Sequence, residues 1–211
     1  MKRLQFLLMI FVAGLISCSN DDDTAYPSLI TEMSMAYSNG QGLLSRFVTD
    51  SGRDYRASNE IKGMDANETV RALISYVPDN DSQAKVYSAQ VIPVLPDATD
   101  KEPVAHDPLG VESVWLGGGF INLHLLPKSQ GQKQQWAFLR DSTCTNVLGG
   151  QNHHLSLYHL QGKDPMAYSR DVYLCVAIDS VASTWTAADS ITFVVHSFNG
   201  PKTWNFGKLA P

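Results

Sequence analysis

The amino-acid sequence predicts an all-β protein: a small OB-type Greek-key barrel followed by an antiparallel β-sandwich. Two observations carry that expectation. After residue 27 no segment holds a strong helical period. The chain offers instead short runs rich in Val, Ile, Leu, Tyr and Phe, with Gly, Asp, Asn and Pro between them, which is the pattern of strands and turns. The second observation is a polar stretch bounded by prolines, Pro96 to Pro103, with five runs before it and six or seven after it. Exposed polar segments of this kind separate domains.

The chain opens with Lys2 and Arg3, and Phe6 to Ile16 is an unbroken run of apolar residues and Gly. That run is too short to cross a bilayer as a helix, which takes roughly 20 residues. A basic start, a short apolar core and a small-residue cleavage site describe a secretory signal. The site, Leu15-Ile16-Ser17-Cys18, resembles the lipobox of bacterial lipoproteins, in which the Cys is acylated on sulfur and the chain is cut just before it. Residues 1–17 are therefore expected as a lipoprotein signal peptide. Cys18 is expected as the lipid attachment site, anchoring the mature protein through palmitate and related acyl chains. Residues 18–27 contain Ser19-Asn20-Asp21-Asp22-Asp23, a run that reads as a solvated acidic tether. It is also similar to the acidic stretch that some Gram-negative groups use to export lipoproteins to the outer face of the outer membrane. The two readings are compatible, and both place the protein at the cell envelope.

The whole chain has a formal charge of −5, and residues 1–17 hold two basic residues and no acidic one, so residues 18–211 carry −7. That balance disfavours nucleic acid, whose binding depends on Lys and Arg neutralising phosphates. It also disfavours electrostatic adhesion to anionic lipid. Of three Cys, Cys18 is the lipid site, leaving Cys144 and Cys175 in a compartment that permits disulfides. A bridge between them would contribute roughly 3–4 kcal/mol if the geometry fits. The alternative is two free thiols, with Cys175 filling a small space on a strand.

The expected barrel, residues 28–96, contains the runs Leu29–Ala36, Gly42–Thr49, Asp54–Ala57, Thr69–Val77 and Lys85–Leu95. The second and third are joined by Asp50-Ser51-Gly52, a hairpin signal. In Thr69–Val77, Val70, Ala72, Ile74 and Tyr76 share one face, and Arg71, Leu73, Ser75 and Val77 the other, which is strand alternation. Five short strands suit an OB-type barrel. Such barrels bind single-stranded nucleic acid through a basic groove with stacking aromatics. Residues 29–96 carry six basic residues against eight acidic ones, so no nucleic-acid partner is expected. Residues 97–104 read as a linker. The expected sandwich, residues 105–211, holds Val111–Leu116, Phe120–Leu126, Gln134–Leu139, His153–Leu160, Asp171–Asp179 and Ser190–Phe198.

Taken together these features resemble the NigD-like lipoproteins, which pair an N-terminal OB-type barrel with a C-terminal β-sandwich. The similar residues are Phe47-Val48-Thr49-Asp50-Ser51-Gly52, Arg71-Ala72-Leu73-Ile74-Ser75-Tyr76 and Val86-Tyr87-Ser88-Ala89-Gln90-Val91 in the first half. In the second half they are Trp115-Leu116-Gly117-Gly118-Gly119-Phe120-Ile121-Asn122-Leu123 and His154-Leu155-Ser156-Leu157-Tyr158-His159. Phe120-Ile121 stands where a Tyr-Leu pair is expected, and both pairs are an aromatic followed by an aliphatic. The resemblance implies no enzyme activity, and no cofactor is expected. The family takes its name from a lipoprotein encoded beside a bacteriocin, for which an immunity role was proposed.

No residue pattern adds a catalytic centre. His153, His154 and His159 lie close in sequence, but on a strand His153 and His159 share a face about 20 Å apart, so no metal site is expected from them. There is no Gly-x-Ser-x-Gly elbow. Gly117-Gly118-Gly119 is followed by a strand run rather than by Lys-Ser/Thr and a helix, so it reads as a turn or bulge. All four Trp lie in the second half. The four are read as core Trp between two sheets, against the alternative of exposed Trp on which sugar rings stack. Trp185 and Trp204 lie outside the clear strands and are the candidate ligand-contact aromatics. The functional expectation is a non-enzymatic envelope lipoprotein that binds or shields, with a bacteriocin-immunity-like role within it. Its partners would be the bilayer and an unknown protein or glycan. The alternatives are a carbohydrate-binding or adhesin-like module, and an enzyme with an unrecognised site.

Overall fold

A computed structural model of the 211-residue chain describes residues 28–207. The expected signal peptide, Cys18 and the acidic run lie outside the described residues. Within them the fold is all-β apart from one helical turn. Strands β1 (Ile30–Ser38), β2 (Leu44–Thr49), β3 (Asp54–Ala57), β4 (Thr69–Pro78) and β5 (Gln83–Val91) close into a barrel of order β1-β2-β3-β5-β4. This is the OB-type arrangement: β1 pairs antiparallel with both β2 and β4, and β3 meets β5 in parallel. The Asp50-Ser51-Gly52 signal forms the β2–β3 turn, with Gly52 at φ +85°. That left-handed conformation costs glycine nothing. Phe47, Tyr55 and Tyr76 meet at the barrel centre with ring centroids 5.0–5.4 Å apart, and Ile74, Ala72 and Val86 are buried with them.

Strand β4 departs from a simple inside–outside strand. Its Ala72, Ile74 and Tyr76 face the barrel core, as the alternation requires. Its second face does not meet water at the start of the strand. Arg71 is 2% exposed, and Leu73 packs with Met33, Ile92 and Cys175. At this end of the strand the outer wall of the barrel is therefore covered by the rest of the molecule.

The second unit has strands β6 (Gly110–Gly117), β7 (Phe120–Leu126), β8 (Lys128–Ser129), β9 (Gln135–Thr145), β10 (Gln151–Leu160), β11 (Tyr168–Ser169) and β12 (Val172–Ala177). A single turn α1 (Ile178–Val181) follows, then β13 (Ser190–Ser197) and β14 (Gly200–Gly207). One sheet runs β14-β13-β10-β9, another β12-β7-β6, and β11 pairs with β8. Side chains from both larger sheets fill the space between them: Ile121, Leu123 and Leu125 of β7, Leu174 and Val176 of β12, Leu155 and Leu157 of β10, and Ile191, Phe193 and Val195 of β13. Burying each such side chain stabilises by about 1.5–3 kcal/mol. The sandwich is not purely antiparallel. β10 and β13 pair in parallel, because the chain crosses to the other sheet through β12 and returns through α1 before entering β13.

The stretch 97–104, expected as a linker, is not free chain. Residues 94–109 form a strap stitched across the sandwich. The Leu95 N–H donates to the Cys175 carbonyl (2.7 Å), Phe138 donates to the Pro96 carbonyl and accepts from the Ala98 N–H on either side of Asp97, Ala105 and Asp107 bracket His159, and the Leu109 N–H donates to the His196 carbonyl. Ala98 and Ala105 pack against Ala137, Leu139 and Tyr158. The composition is that of a linker, but the backbone groups are used by strand positions far away in sequence.

Candidate functional site

The outer face of the β12-β7-β6 sheet rests on the outer wall of the barrel. Alternation on these strands places Trp115, Phe120, Asn122, Tyr173 and Cys175 on that face, opposite the residues that fill the sandwich core. The barrel meets it with Met33, Leu73 and an ion pair. Arg71 holds both oxygens of Asp50 (2.6 and 2.5 Å), and its Nη2 also donates to the Asn122 side-chain oxygen at 2.9 Å. The Phe120 ring covers the guanidinium at 4.5 Å. The Arg71 side chain is wholly buried and that of Asp50 is 15% exposed. A buried guanidinium is tolerated where its charge is matched; its two Nη groups are bonded, while its Nε is buried without a partner. Here Asp50 supplies the charge, and the sandwich supplies the amide and the ring.

Gly117-Gly118-Gly119 is the β6–β7 turn, as its sequence suggests, and it wraps the Asp50 carboxylate. A Cβ at Gly118 would lie 2.1 Å from Asp50 Oδ1, and one at Gly117 2.6 Å from Oδ2; Gly118 also sits at φ +58°. A side chain at either position would push the carboxylate off Arg71.

Beside this junction opens a cleft of about 640 Å³. Leu116, Phe120, Ile178 and Trp185 give it apolar walls, and the glycine turn, Asp50, Asp179 and Ser183 give it a polar rim. A second, polar cleft lies on the other side of the 179–183 segment and shares Asp179, Ala182 and Ser183 with it. That segment is held from two directions. Ile178 N–H donates to the Gly119 carbonyl at 3.0 Å. Arg140 binds Asp97 of the strap at 2.6 Å and donates to the carbonyls of Val181 (3.0 Å) and Ser180. Preformed concave sites with apolar walls and a few placed polar groups are the usual form of a binding site. Neither a nucleophile paired with a base nor a group of three or more metal-ligating side chains occurs here among the described residues.

The family model of the NigD-like C-terminal β-sandwich domain matches residues 90–207, more than half of the chain. The chain belongs to the NigD-like family. The match includes the strap, so in NigD-like terms residues 90–109 go with the sandwich. The fold is similar to that of a NigD-like immunity protein from Bacteroides caccae, with 23% identity, a TM-score of 0.62, and 87% of this chain and 94% of that one covered. It is also similar to a candidate lipoprotein from Bacteroides fragilis, with 13% identity, a TM-score of 0.64, and 87% and 99% covered. A protein of unknown function from Bacteroides vulgatus aligns at 13% identity with a TM-score of 0.65, over 87% and 92%. At these identities the likeness establishes the fold. A search of curated proteins finds no match.

In this NigD-like chain the residues singled out from sequence are scattered. Trp185 lines the cleft and packs against the sandwich core behind it, with the His153 ring 6.3 Å away. Trp204 is elsewhere: on β14 it stands opposite Phe193, half-buried against the core. Trp115 is not between the two sheets but at the junction with the barrel. Trp136 stacks on His159 at 4.1 Å. Cys144 and Cys175 are unbridged. They lie on different sheets: Cys144 is exposed near the end of β9, and Cys175 faces the barrel, its thiol donating to the Pro93 carbonyl at 3.6 Å. Burial pushes the Cys175 thiol up to about 11. Sequence reasoning missed Asp50, Phe120, Ile178 and Asp179 as cleft residues. Only the crowding of glycines beside Phe120 signalled a close approach, and nothing local signalled its partner.

Proposed function

We propose that this protein is a non-catalytic, lipid-anchored envelope protein whose junctional cleft binds a partner and shields the cell in an immunity-like role. The observation that carries the reading is the cleft itself. It is preformed, walled by Trp185, Phe120, Leu116 and Ile178, and braced by the Asp50–Arg71 pair and by Arg140. Buried aromatic anchors with a polar rim are what binding energy concentrates on. The lipobox at Leu15–Cys18 supports the anchoring, and the names of two structural relatives, an immunity protein and a candidate lipoprotein, agree with it. Survival of a deletion strain challenged by bacteriocin-producing neighbours tests the proposal. Wild-type protein should restore survival. Cys18→Ala, which removes the anchor, and Trp185→Ala, which opens the cleft wall, should not. A deletion strain that survives as well as its parent overturns the immunity role.

A further inference from the structure

At the β9–β10 turn two aliphatic side chains leave the protein altogether: Val147 is 102% exposed and Leu148 75%. The turn that carries them is built. Asn146 Oδ1 accepts from the Leu148 and Gly150 N–H groups at 2.9 and 3.1 Å, and its amide donates to the Ala188 carbonyl at 2.6 Å. Asn146 and Gly150 close the hairpin through the backbone at 2.8 Å. Gly150 lies so close to Ala188 that a Cβ would sit 2.2 Å from its carbonyl oxygen. The surroundings hold little charge. No Asp, Glu, Lys or Arg occurs from Ser142 to Gly162, nor from Ser180 to Ala188, in a chain that is 18% charged. The nearby Asp189 carboxylate is occupied by the Gln151 and Thr186 N–H groups, both at 2.7 Å.

We propose that this tip is a bilayer contact, with Val147 and Leu148 entering the apolar edge of the membrane to which the chain is anchored. The inference rests on the lipid-anchor reading. Aliphatic side chains without an aromatic or Arg among them match a lipid phase better than a protein pocket, where Trp, Tyr and Arg dominate. Charges close to the hydrocarbon are costly, and the one carboxylate near the tip, Asp189, is held by backbone N–H groups. The net negative chain gains nothing from anionic headgroups, so insertion must be apolar. The twelve residue steps from Cys18 to Ile30 span at most about 40 Å. Two side chains alone bind a membrane weakly, but anchoring gives them a high effective concentration at its surface. The turn leans on Ala188, close to the 182–185 stretch that lines both clefts. An inserted tip would therefore hold the clefts near the membrane surface.

The lipidated full-length protein in phosphatidylcholine/phosphatidylglycerol vesicles tests this. An environment-sensitive dye is placed at Thr145→Cys in a Cys144→Ser background, or at Asp81→Cys on the β4–β5 turn as reference. The dye at 145 should shift to the blue and be dimmed by a lipid-borne quencher; the dye at 81 should do neither. Adding Val147→Asp with Leu148→Asp should abolish both changes at 145. A dye at 145 that reads water in vesicles overturns the proposal. So does a blue shift without lipid quenching, which would mean that protein, a second copy or another chain, covers the tip. Flotation of the protein with the vesicles reports the anchor separately. If it fails to float, the anchor reading has failed, and the tip is read again with the chain held by a histidine tag on nickel-chelating lipid.

Discussion

Removing the Asp50 carboxylate should uncouple the barrel from the sandwich. In Asp50→Ala the Arg71 guanidinium, wholly buried, keeps only the Asn122 oxygen at 2.9 Å and the Phe120 ring. Stranding a buried charge costs about 3–5 kcal/mol. The partial exposure of Asp50 lets water reach the vacated space, so the lower end, about 3 kcal/mol, is expected. For a chain of this size about 1 kcal/mol moves the melting temperature by 2–4 °C, so the loss should be roughly 6–12 °C. Urea unfolding followed by two probes reads it. Tryptophan fluorescence reports the second unit, where all four Trp lie, and through Trp115 its junction with the barrel, while far-UV circular dichroism reports both units. The two curves should coincide in the wild type and separate in Asp50→Ala. Asp50→Ala/Arg71→Met, which removes the stranded charge, should recover at least about 1 kcal/mol. A single-variant cost below about 1 kcal/mol, or a double variant no better than the single, would refute the reasoning.

Gly118→Ala should cost more than Gly119→Ala in urea midpoint. Both require positive φ, at roughly 1–2 kcal/mol for a side chain, but only the first drives a Cβ into Asp50. Limited proteolysis within Thr99–Val104 should leave the two fragments co-eluting in gel filtration, because both sides of the cut are bonded to the sandwich; separate elution would show the strap to be a mere linker. His196 is held below its usual pKa by burial and then by the stacked His106 ring at 4.5 Å, against a smaller opposing effect of Asp141. The unfolded chain then takes up this proton first as pH falls through about 6.5. The stability it contributes is complete above that value and is lost toward the folded pKa. Thermal melts from pH 7.5 to 5 should show a slope that flattens in His196→Gln.

Strands with regular alternation were legible because a half-buried strand writes its two faces into the sequence. β4 and β7 show this, and the turn at Asp50-Ser51-Gly52 was legible for its glycine. What failed to show was non-local. Asp171–Asp179 reads as one strand, yet its end turns into α1, where Ile178 finds the Gly119 carbonyl. β14, beginning Gly200-Pro201, lacks an apolar run because it is a half-exposed edge. Residues 97–104 look like a linker because their side chains are polar, while their structure lies in backbone bonds. The cleft was partly legible, through Trp185. Its other walls come from three separate stretches, around residues 50, 116–120 and 178–185, and no local pattern announces such a convergence.

The strap also determines how force would cross the molecule. The described chain enters at β1 of the barrel, while the cleft residues belong mostly to the sandwich. Tension between an anchored N-terminus and a partner held in the cleft would leave the barrel at Val91 and run into residues 94–109. There the strap lies alongside β12, β9, β10 and β13 in parallel bridges, so a pull along it loads several hydrogen bonds at once instead of opening them one at a time. Such a join yields late and then abruptly, behaving as a mechanical clasp between the barrel and the sandwich.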